Sequence, residues 1–123
     1  MTDKTKAFRL ITEGDVQTAK ATGLIPLVQV DKADGFVHLS PKSQVLNTAG
    51  LYFSQDTVLF ALEFDAVGLG EKLKWERDAN RADIFPHLYS SELKWDKATW
   101  LHSITWSDSG HATWGVSQRI DEL

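Results

Sequence analysis

Cysteine and long hydrophobic runs are both missing from this 123-residue sequence. Because there are no thiols, disulfide bonds, zinc–thiolate sites and cysteine nucleophiles are excluded. No apolar stretch approaches the roughly 20 residues that a membrane-spanning helix needs. The polar N-terminus is not followed by an apolar segment of signal-peptide length. We therefore expect a cytoplasmic protein without a membrane partner.

Positive charge is also scarce. The 13 lysine and arginine residues are outnumbered by 17 aspartate and glutamate residues, which gives a net charge of -4. A nucleic-acid-binding protein usually carries a basic patch, and no strong signal of that kind is present. The length is sufficient to bury about two thirds of the chain surface in one core. We expect a single domain over residues 1–123, with a polar C-terminal extension at 107–123.

Hydrophobic periodicity predicts a chain with helices early and strands later. The range 57–64 is apolar on both faces, which is typical of a central strand. Thr12 and Gly23 are suited to begin and end a first helix. This order predicts an α+β fold with a largely antiparallel, curved sheet. The predicted strands cover 8–11, 36–39, 57–64, 72–76 and 98–106, and the predicted helices cover 12–23 and 41–53. The other segments are an extended edge segment or loop at 24–30, a turn at 65–71, a polar loop at 77–83 and a tail with one more short strand.

The range 34–41 reads as a turn, a short strand and the start of a helix. Ser40 is a suitable N-cap, and Pro41 is suited to the first helical position. The free N–H groups of that helix would point toward His38 and Ser40 and favour an anion such as phosphate. Gln44 lies in the first turn, close to this expected anion site. The alternative is a core histidine beside an ordinary helix cap.

A compact aromatic segment at 85–89 and an adjacent carboxylate are the other candidates. The segment holds a proline and a histidine between aromatic residues, and a rigid loop of this kind suits stacking on a planar ring. The alternative is a loop that closes one end of the core. Trp75 beside Glu76 could line a pocket. Glu76 and Glu63 could act as acid, base or electrostatic stabiliser; the alternatives are a solvated strand end for Glu76 and a lysine or arginine partner for Glu63.

The four histidines do not have the close spacing of a helical metal site, and no carboxylate completes a ligand motif with them. We therefore expect no metal. A metal-dependent hydrolase built on His38, His87 and His102 is kept as a further alternative.

Four blocks give the chain a resemblance to the small bacterial family called domain of unknown function 952, over about residues 8–104. The blocks are 8–10 (Phe-Arg-Leu), 34–40 (Asp-Gly-Phe-Val-His-Leu-Ser) with Gln44, 75–76 (Trp-Glu) and 85–89 (Phe-Pro-His-Leu-Tyr). The chain departs from the family pattern at three places. Arg9 stands where lysine or histidine is usual, Val16 replaces a tryptophan, and Ser90-Ser91 replaces Gly-Pro.

That family resembles the ADP-ribosyltransferase fold, a split and mostly antiparallel sheet around an NAD cleft. The range 37–40 is also similar to a stretch of the tRNA 2′-phosphotransferases. The resemblance implies NAD as ligand or co-substrate, a small-molecule nucleotide as partner, and transfer of an ADP-ribosyl or phosphoryl group. The implied catalytic residues are His38, Glu76 and His87, and the implied nucleotide-binding residues are Arg9, His38, Ser40, Gln44, Tyr52, Trp75, Phe85 and Tyr89.

The resemblance also implies individual roles. Arg9 would hold a phosphate, His38 would contact phosphate or ribose, and Tyr52 or Tyr89 would stack on nicotinamide or adenine. Glu76 or Glu63 would stabilise an oxocarbenium-like centre. Because a Glu-x-Glu motif is absent, a non-catalytic module that binds a nucleotide or a modified partner is the alternative to an NAD-dependent transferase.

Overall fold

The computed structural model describes residues 3–78 and 81–123, which form four α-helices and nine β-strands in three antiparallel sheets. The predicted mixed α and β, mostly antiparallel architecture is therefore confirmed. The predicted polar loop at 77–83 contains residues 79 and 80, which lie outside the described residues. The strands are β1 (Lys6–Thr12), β2 (Leu24–Ile25), β3 (Val37–His38), β4 (Leu59–Asp65), β5 (Leu73–Arg77), β6 (Ile84–Leu88), β7 (Leu93–Lys94), β8 (Ala98–Trp106) and β9 (Ala112–Arg119). The helices are α1 (Glu13–Thr22), α2 (Gln29–Asp34), α3 (Val45–Tyr52) and α4 (Ala66–Leu69).

The largest sheet has the strand order β1-β4-β8-β9 and carries core residues on both faces. Leu62 and Phe64 of β4 are fully buried in one hydrophobic cluster, whereas Leu59 and Ala61 are buried in a second one. Since successive side chains of a strand point to opposite faces, β4 separates the two clusters. The predicted central strand is confirmed.

The three-stranded sheet has the order β3-β6-β5, and its middle strand contains Pro86. The prediction that 85–89 is a loop was therefore wrong. A proline lacks the N–H that a central strand normally donates. The carbonyl of Pro86 accepts the Leu39 N–H at 3.2 Å. In an antiparallel pair the N–H and C=O of one residue point to the same neighbouring strand, so the N–H that Pro86 lacks would also have pointed to Leu39, just beyond the last residue of β3. The chain tolerates proline here because the ladder with β3 ends at this point.

Local signals placed the first helix correctly and missed the second. Thr12 caps α1 by accepting the Asp15 N–H at 3.3 Å, and Gly23 ends the helix with φ of 82°. The range 24–30 was predicted as an extended segment or loop, but α2 begins at Gln29 and ends at Asp34, where Gly35 caps it with φ of 78°. The Asp34-Gly35 turn signal is therefore the end of a helix.

The helix predicted from residue 41 begins later, at Val45, after a 3₁₀ turn over Lys42–Gln44. Ser40 does not cap it. Instead, Ser40 pairs with Phe8 through two backbone hydrogen bonds of 2.9 and 2.8 Å. This bridge joins β1 to the chain leaving β3, and the tertiary pairing overrides the local capping preference. Ser40 therefore does not provide the helix cap on which the expected anion site was based.

Two further segments differ from expectation. The turn predicted at 65–71 contains α4 and a 3₁₀ turn over Gly70–Lys72. The C-terminal tail contributes β9, which at eight residues is longer than the short strand expected there. Within the described ranges, no helix combines the length and the apolar character that crossing a membrane requires.

Candidate functional site

A cleft of about 760 Å³ lies where β1, α2, β3, β5 and β6 meet. Volumes of this size are typical of small-molecule sites. Two predicted residues, Gln44 and Trp75, are not among those that line it. Eight predicted residues do line it: Arg9, His38, Ser40, Tyr52, Glu76, Phe85, His87 and Tyr89.

Beside the cleft, a buried carboxylate organises the residues from β1 and β3. Asp31 binds Arg9 in a bidentate ion pair, with Nη1–Oδ1 and Nη2–Oδ2 distances of 3.1 and 2.7 Å. It also accepts the backbone N–H of His38 and of Val28, both at 2.9 Å, and lies 2.8 Å from His38 Nδ1. Arg9 Nη1 also donates to the His38 carbonyl at 2.8 Å. Asp31 therefore positions both predicted phosphate contacts.

The same contacts change the acid–base properties of His38. Its Nε2 lies 2.9 Å from Asp34 Oδ2, so each ring nitrogen faces a carboxylate. Burial lowers the pKa of His38, but hydrogen bonds to Asp31 and Asp34 outweigh it and raise the pKa above its ordinary value. Burial likewise opposes ionisation of Asp31, yet His38 and Arg9 hold the pKa of Asp31 well below its usual range. The ring of His38 thus keeps its proton to a higher pH than a free histidine.

A second carboxylate, Glu76, lines the cleft from β5, which is separated from β3 by β6 in the three-stranded sheet. Its Oε1 accepts the Tyr89 hydroxyl at 2.6 Å and lies 3.0 Å from His87 Nδ1. Hydrogen bonds from Tyr89 and then His87 lower the pKa of Glu76, and the bond to Glu76 raises the pKa of Tyr89. The three side chains therefore keep an ionised carboxylate in the cleft.

Phe36 forms an aromatic wall with the two histidines and Tyr89. Its ring stacks on His87 with centroids 4.1 Å apart and planes at 25°, and it lies 4.5 Å from His38 and 5.3 Å from Tyr89. The histidines are partners in the β3–β6 ladder, with ring centroids 6.1 Å apart. We name this group, Phe36, His38, His87 and Tyr89, the aromatic wall.

His87 has an additional feature. Its Nε2 atom is buried but has no hydrogen-bond partner. No other buried side-chain nitrogen or oxygen atom of the described residues lacks a partner. An unpaired buried polar atom is energetically unfavourable, and such atoms are uncommon. The His87 ring therefore has one nitrogen paired with Glu76 and one buried nitrogen left unpaired.

Two arginines bring positive charge to the cleft, one at the end of β5 and one in the chain that follows it. Arg77 and Arg81 both line it. The Arg81 guanidinium lies 4.8 Å from the centroid of Phe85 and donates to Gln44 Oε1 at 3.1 Å. Gln44 Nε2 in turn donates to Asp83 at 2.8 Å. Gln44 therefore contacts the arginine-bearing segment rather than the cleft.

The remaining predicted residues occupy distinct places. Tyr52 is 65% exposed at the cleft rim. Ser40 is buried, with its hydroxyl 3.4 Å from that of Thr48. Trp75 is half-buried on β5 next to Glu76, and successive side chains of a strand face opposite sides of the sheet.

Four residues of the site were missed by sequence reasoning: Asp31, Phe36, Arg77 and Arg81. Phe36 shares a strand face with His38, and that signal could have identified it. Asp31 follows the segment 24–30 that was predicted as extended or loop, at a position where no element was predicted, so no periodic pattern marked it.

Of the three histidines proposed for a metal site, His38 and His87 lie together in the cleft, but His102 does not join them. His102 does not line the cleft; its Nε2 lies 2.9 Å from Glu63 and its Nδ1 lies 2.6 Å from the Ser117 hydroxyl. Glu63 also pairs with Lys6 at 3.6 Å. In the parts of the chain that the structure describes, no group of three or more histidine, cysteine, aspartate or glutamate residues is placed to hold a metal ion.

Comparisons with known proteins show which proteins the chain resembles in sequence and fold. The chain is similar to protein CC0527 from Caulobacter crescentus: its crystal structure has a TM-score of 0.78 at 33% identity, covering 89% of this chain and 94% of that one. The solution NMR structure of CC0527 gives a TM-score of 0.72 at 34% identity, with 86% and 90% of the two chains covered. No curated protein is significantly similar in sequence. A family model described as "Protein of unknown function (DUF952)" matches residues 10–101, and the chain therefore belongs to the DUF952 family.

Proposed function

We propose that the cleft binds an NAD- or ADP-ribose-type nucleotide, on a split sheet of the ADP-ribosyltransferase type. The division into a four-stranded and a three-stranded antiparallel sheet, bridged at Phe8 and Ser40 beside the cleft, supports this assignment. A cytoplasmic location stays a prediction from the sequence.

The observation that carries the proposal is the aromatic wall beside cationic side chains. A nucleotide combines a planar ring with phosphate, so it needs a stacking surface and positive charge within one site. Phe36 and Tyr89 provide the surface, and Arg77 and Arg81 provide cations along the same cleft. Arg guanidinium groups match phosphate oxygens in geometry as well as charge.

The contacts of Arg9 suggest a positioning role within this proposal. Two of its nitrogens bind Asp31, and one of these also donates to the His38 carbonyl. Its charge is therefore largely balanced before a ligand arrives. Direct contact of Arg9 with phosphate stays a prediction, and we assign the phosphate contacts within the cleft to Arg77 and Arg81.

Glu76 supports ADP-ribosyl transfer over phosphoryl transfer. When the bond between nicotinamide and ribose breaks, its electron pair leaves with nicotinamide and positive charge develops on the ribose. An ionised carboxylate stabilises such a centre, whereas it repels an incoming phosphate. Tyr89 and His87 hold Glu76 in the ionised state that this role requires.

A non-catalytic nucleotide-binding module is the second candidate. It is favoured by His38, whose two ring nitrogens are both occupied by carboxylates, Asp31 and Asp34. A ring in that position can contribute charge and shape, but it has no free nitrogen for proton transfer with a substrate.

Titration calorimetry with NAD and with ADP-ribose tests the binding. We expect micromolar dissociation constants for the native protein, strongly weakened by Phe36→Ala and His38→Ala. His111→Ala is the matched control because His111 is exposed and does not line the cleft. Absence of binding by the native protein, or equal binding by all variants, would contradict the proposal.

Release of nicotinamide from NAD separates the two candidates. A transferase should lose turnover in Glu76→Gln while the same variant still binds ADP-ribose. If the native protein binds NAD without any release of nicotinamide, with or without added acceptor hydroxyls, the binding module is the better description.

A further inference from the structure

A second pocket, of about 410 Å³, adjoins the cleft. Tyr89 lines both cavities and so forms a shared wall between them. Asp31 lines the second pocket, while its partners Arg9 and His38 line the cleft. The residues around the second pocket are Leu27, Asp31, Lys32, Gly35, Lys72, Tyr89, Ser90 and Ser91.

The second pocket carries uncompensated positive charge. Lys32 of α2 and Lys72, just before β5, both line it and are exposed. Neither ammonium group has an ion pair or hydrogen bond within the described parts of the chain. The one carboxylate that lines the pocket, Asp31, is already bound by Arg9 and His38. In a chain with a net charge of -4, this is a local excess of positive charge.

Hydroxyl groups complete the polar lining. Ser90 Oγ accepts the Glu92 N–H at 3.3 Å, which leaves its own proton free to donate. The Ser91 hydroxyl has no partner among the described residues. Ammonium and hydroxyl groups are donors that suit phosphate oxygens, and bonds to a charged acceptor are stronger than neutral ones.

We propose that the second pocket is a phosphate subsite, which takes a phosphate group of the ligand in addition to the one that Arg77 and Arg81 contact in the cleft. The ligand would cross Tyr89, with its ring against the aromatic wall and this further phosphate group between Lys32 and Lys72. The link to the cleft ligand rests on the proposed nucleotide function. Binding of phosphate in the second pocket rests on the residues of that pocket alone.

Inorganic pyrophosphate is the probe that isolates the subsite. In two-dimensional amide NMR of the native protein, pyrophosphate should shift the signals of Lys32, Lys72, Ser90 and Ser91. The double variant Lys32→Gln/Lys72→Gln should lose these shifts. Lys20→Gln/Lys97→Gln is the matched control, because it removes the same charge from two exposed lysines outside both cavities. If pyrophosphate leaves those signals unchanged in the native protein, or if both double variants respond alike, the subsite proposal is overturned.

Calorimetry with ADP-ribose and adenosine tests the link to the cleft. Loss of two charge-assisted contacts should weaken ADP-ribose binding about tenfold or more in Lys32→Gln/Lys72→Gln. Adenosine, which has no phosphate, should bind both proteins equally. Equal ADP-ribose affinity in the native protein and the variant overturns the link. Pyrophosphate shifts without any ADP-ribose binding would instead refute the nucleotide function and keep the anion subsite.

Discussion

Arg9 and Asp31, 22 residues apart in the chain, form a bidentate ion pair with distances of 3.1 and 2.7 Å. Their side chains are only 9% and 1% exposed. The pair ties α2 to β1, and its carboxylate also receives both the backbone N–H and the ring of His38. One buried contact therefore sets the position of the histidine at the cleft.

Asp31→Asn should strongly destabilise the protein. The substitution removes the negative charge and leaves Arg9 buried without compensation, which typically costs about 3–5 kcal/mol of unfolding free energy. Asp121→Asn is the control, since its ion pair with Arg119 is more than half exposed on both sides and should contribute less than about 1 kcal/mol. Chemical denaturation of the variants measures the difference. Similar losses in the two variants would contradict a special role for the buried pair.

Asp34→Asn should lower the pKa of His38, because it removes the carboxylate 2.9 Å from Nε2. NMR titration of the imidazole carbon-bound protons gives this pKa directly. Asp108→Asn, an exposed substitution outside the cleft, is the control and should leave it unchanged.

Asp34→Asn should also change how the stability of the protein depends on pH. The folded-state pKa of His38 is raised above its unfolded value. Protonated His38 therefore stabilises the folded state. This contribution is fully present at a pH below the pKa of His38 in the unfolded state, and it is lost as the pH rises through the pKa of His38 in the folded state. Asp34→Asn should therefore destabilise the protein more at about pH 5.5 than at about pH 8.5, two values on either side of ordinary histidine titration. A larger loss at the higher pH would reverse the sign and refute the assignment.

Tyr89→Phe should raise the pKa of Glu76, because the Tyr89 hydroxyl is the main group that lowers it. Carboxyl-carbon NMR of Glu76 over a pH series is the direct measurement. Tyr52→Phe provides the comparison, since Tyr52 also lines the cleft but is 65% exposed. An unchanged Glu76 titration in Tyr89→Phe would mean that the hydrogen bond does not persist in solution.

Gly115→Ala should destabilise the β8–β9 pair. A Cβ at this position would lie 3.0 Å from the Ser103 carbonyl oxygen and in steric conflict with the Ser103 hydroxyl. That hydroxyl is held in place by the Val116 N–H at 2.7 Å. We expect a loss of about 1–3 kcal/mol in unfolding free energy, as is usual for overpacking. Gly14→Ala, in α1 with nothing within 4 Å, should be neutral or stabilising and serves as control in thermal unfolding.

The features that the sequence alone determined are those with local causes. Thr12 and Gly23 satisfy the ends of α1 within a few residues, so they predict that helix without any partner. The two apolar faces of 57–64 indicate burial on both sides, which is the property of a central strand. The blocks that carry the resemblance also led to the family and to several of the cleft residues, including His38, Glu76 and His87.

Tertiary structure alone decided the features that depend on distant partners. Ser40 could cap a helix, but pairing with Phe8 gave it a different role. The 85–89 segment reads as a loop because of Pro86, and only the end of β3 beside it makes a proline acceptable in a middle strand. Asp31 carried no local pattern because its function comes from Arg9 and His38. Contacts of this kind join residues far apart in the chain and form only when several sheets pack together, so short-range sequence signals do not contain them.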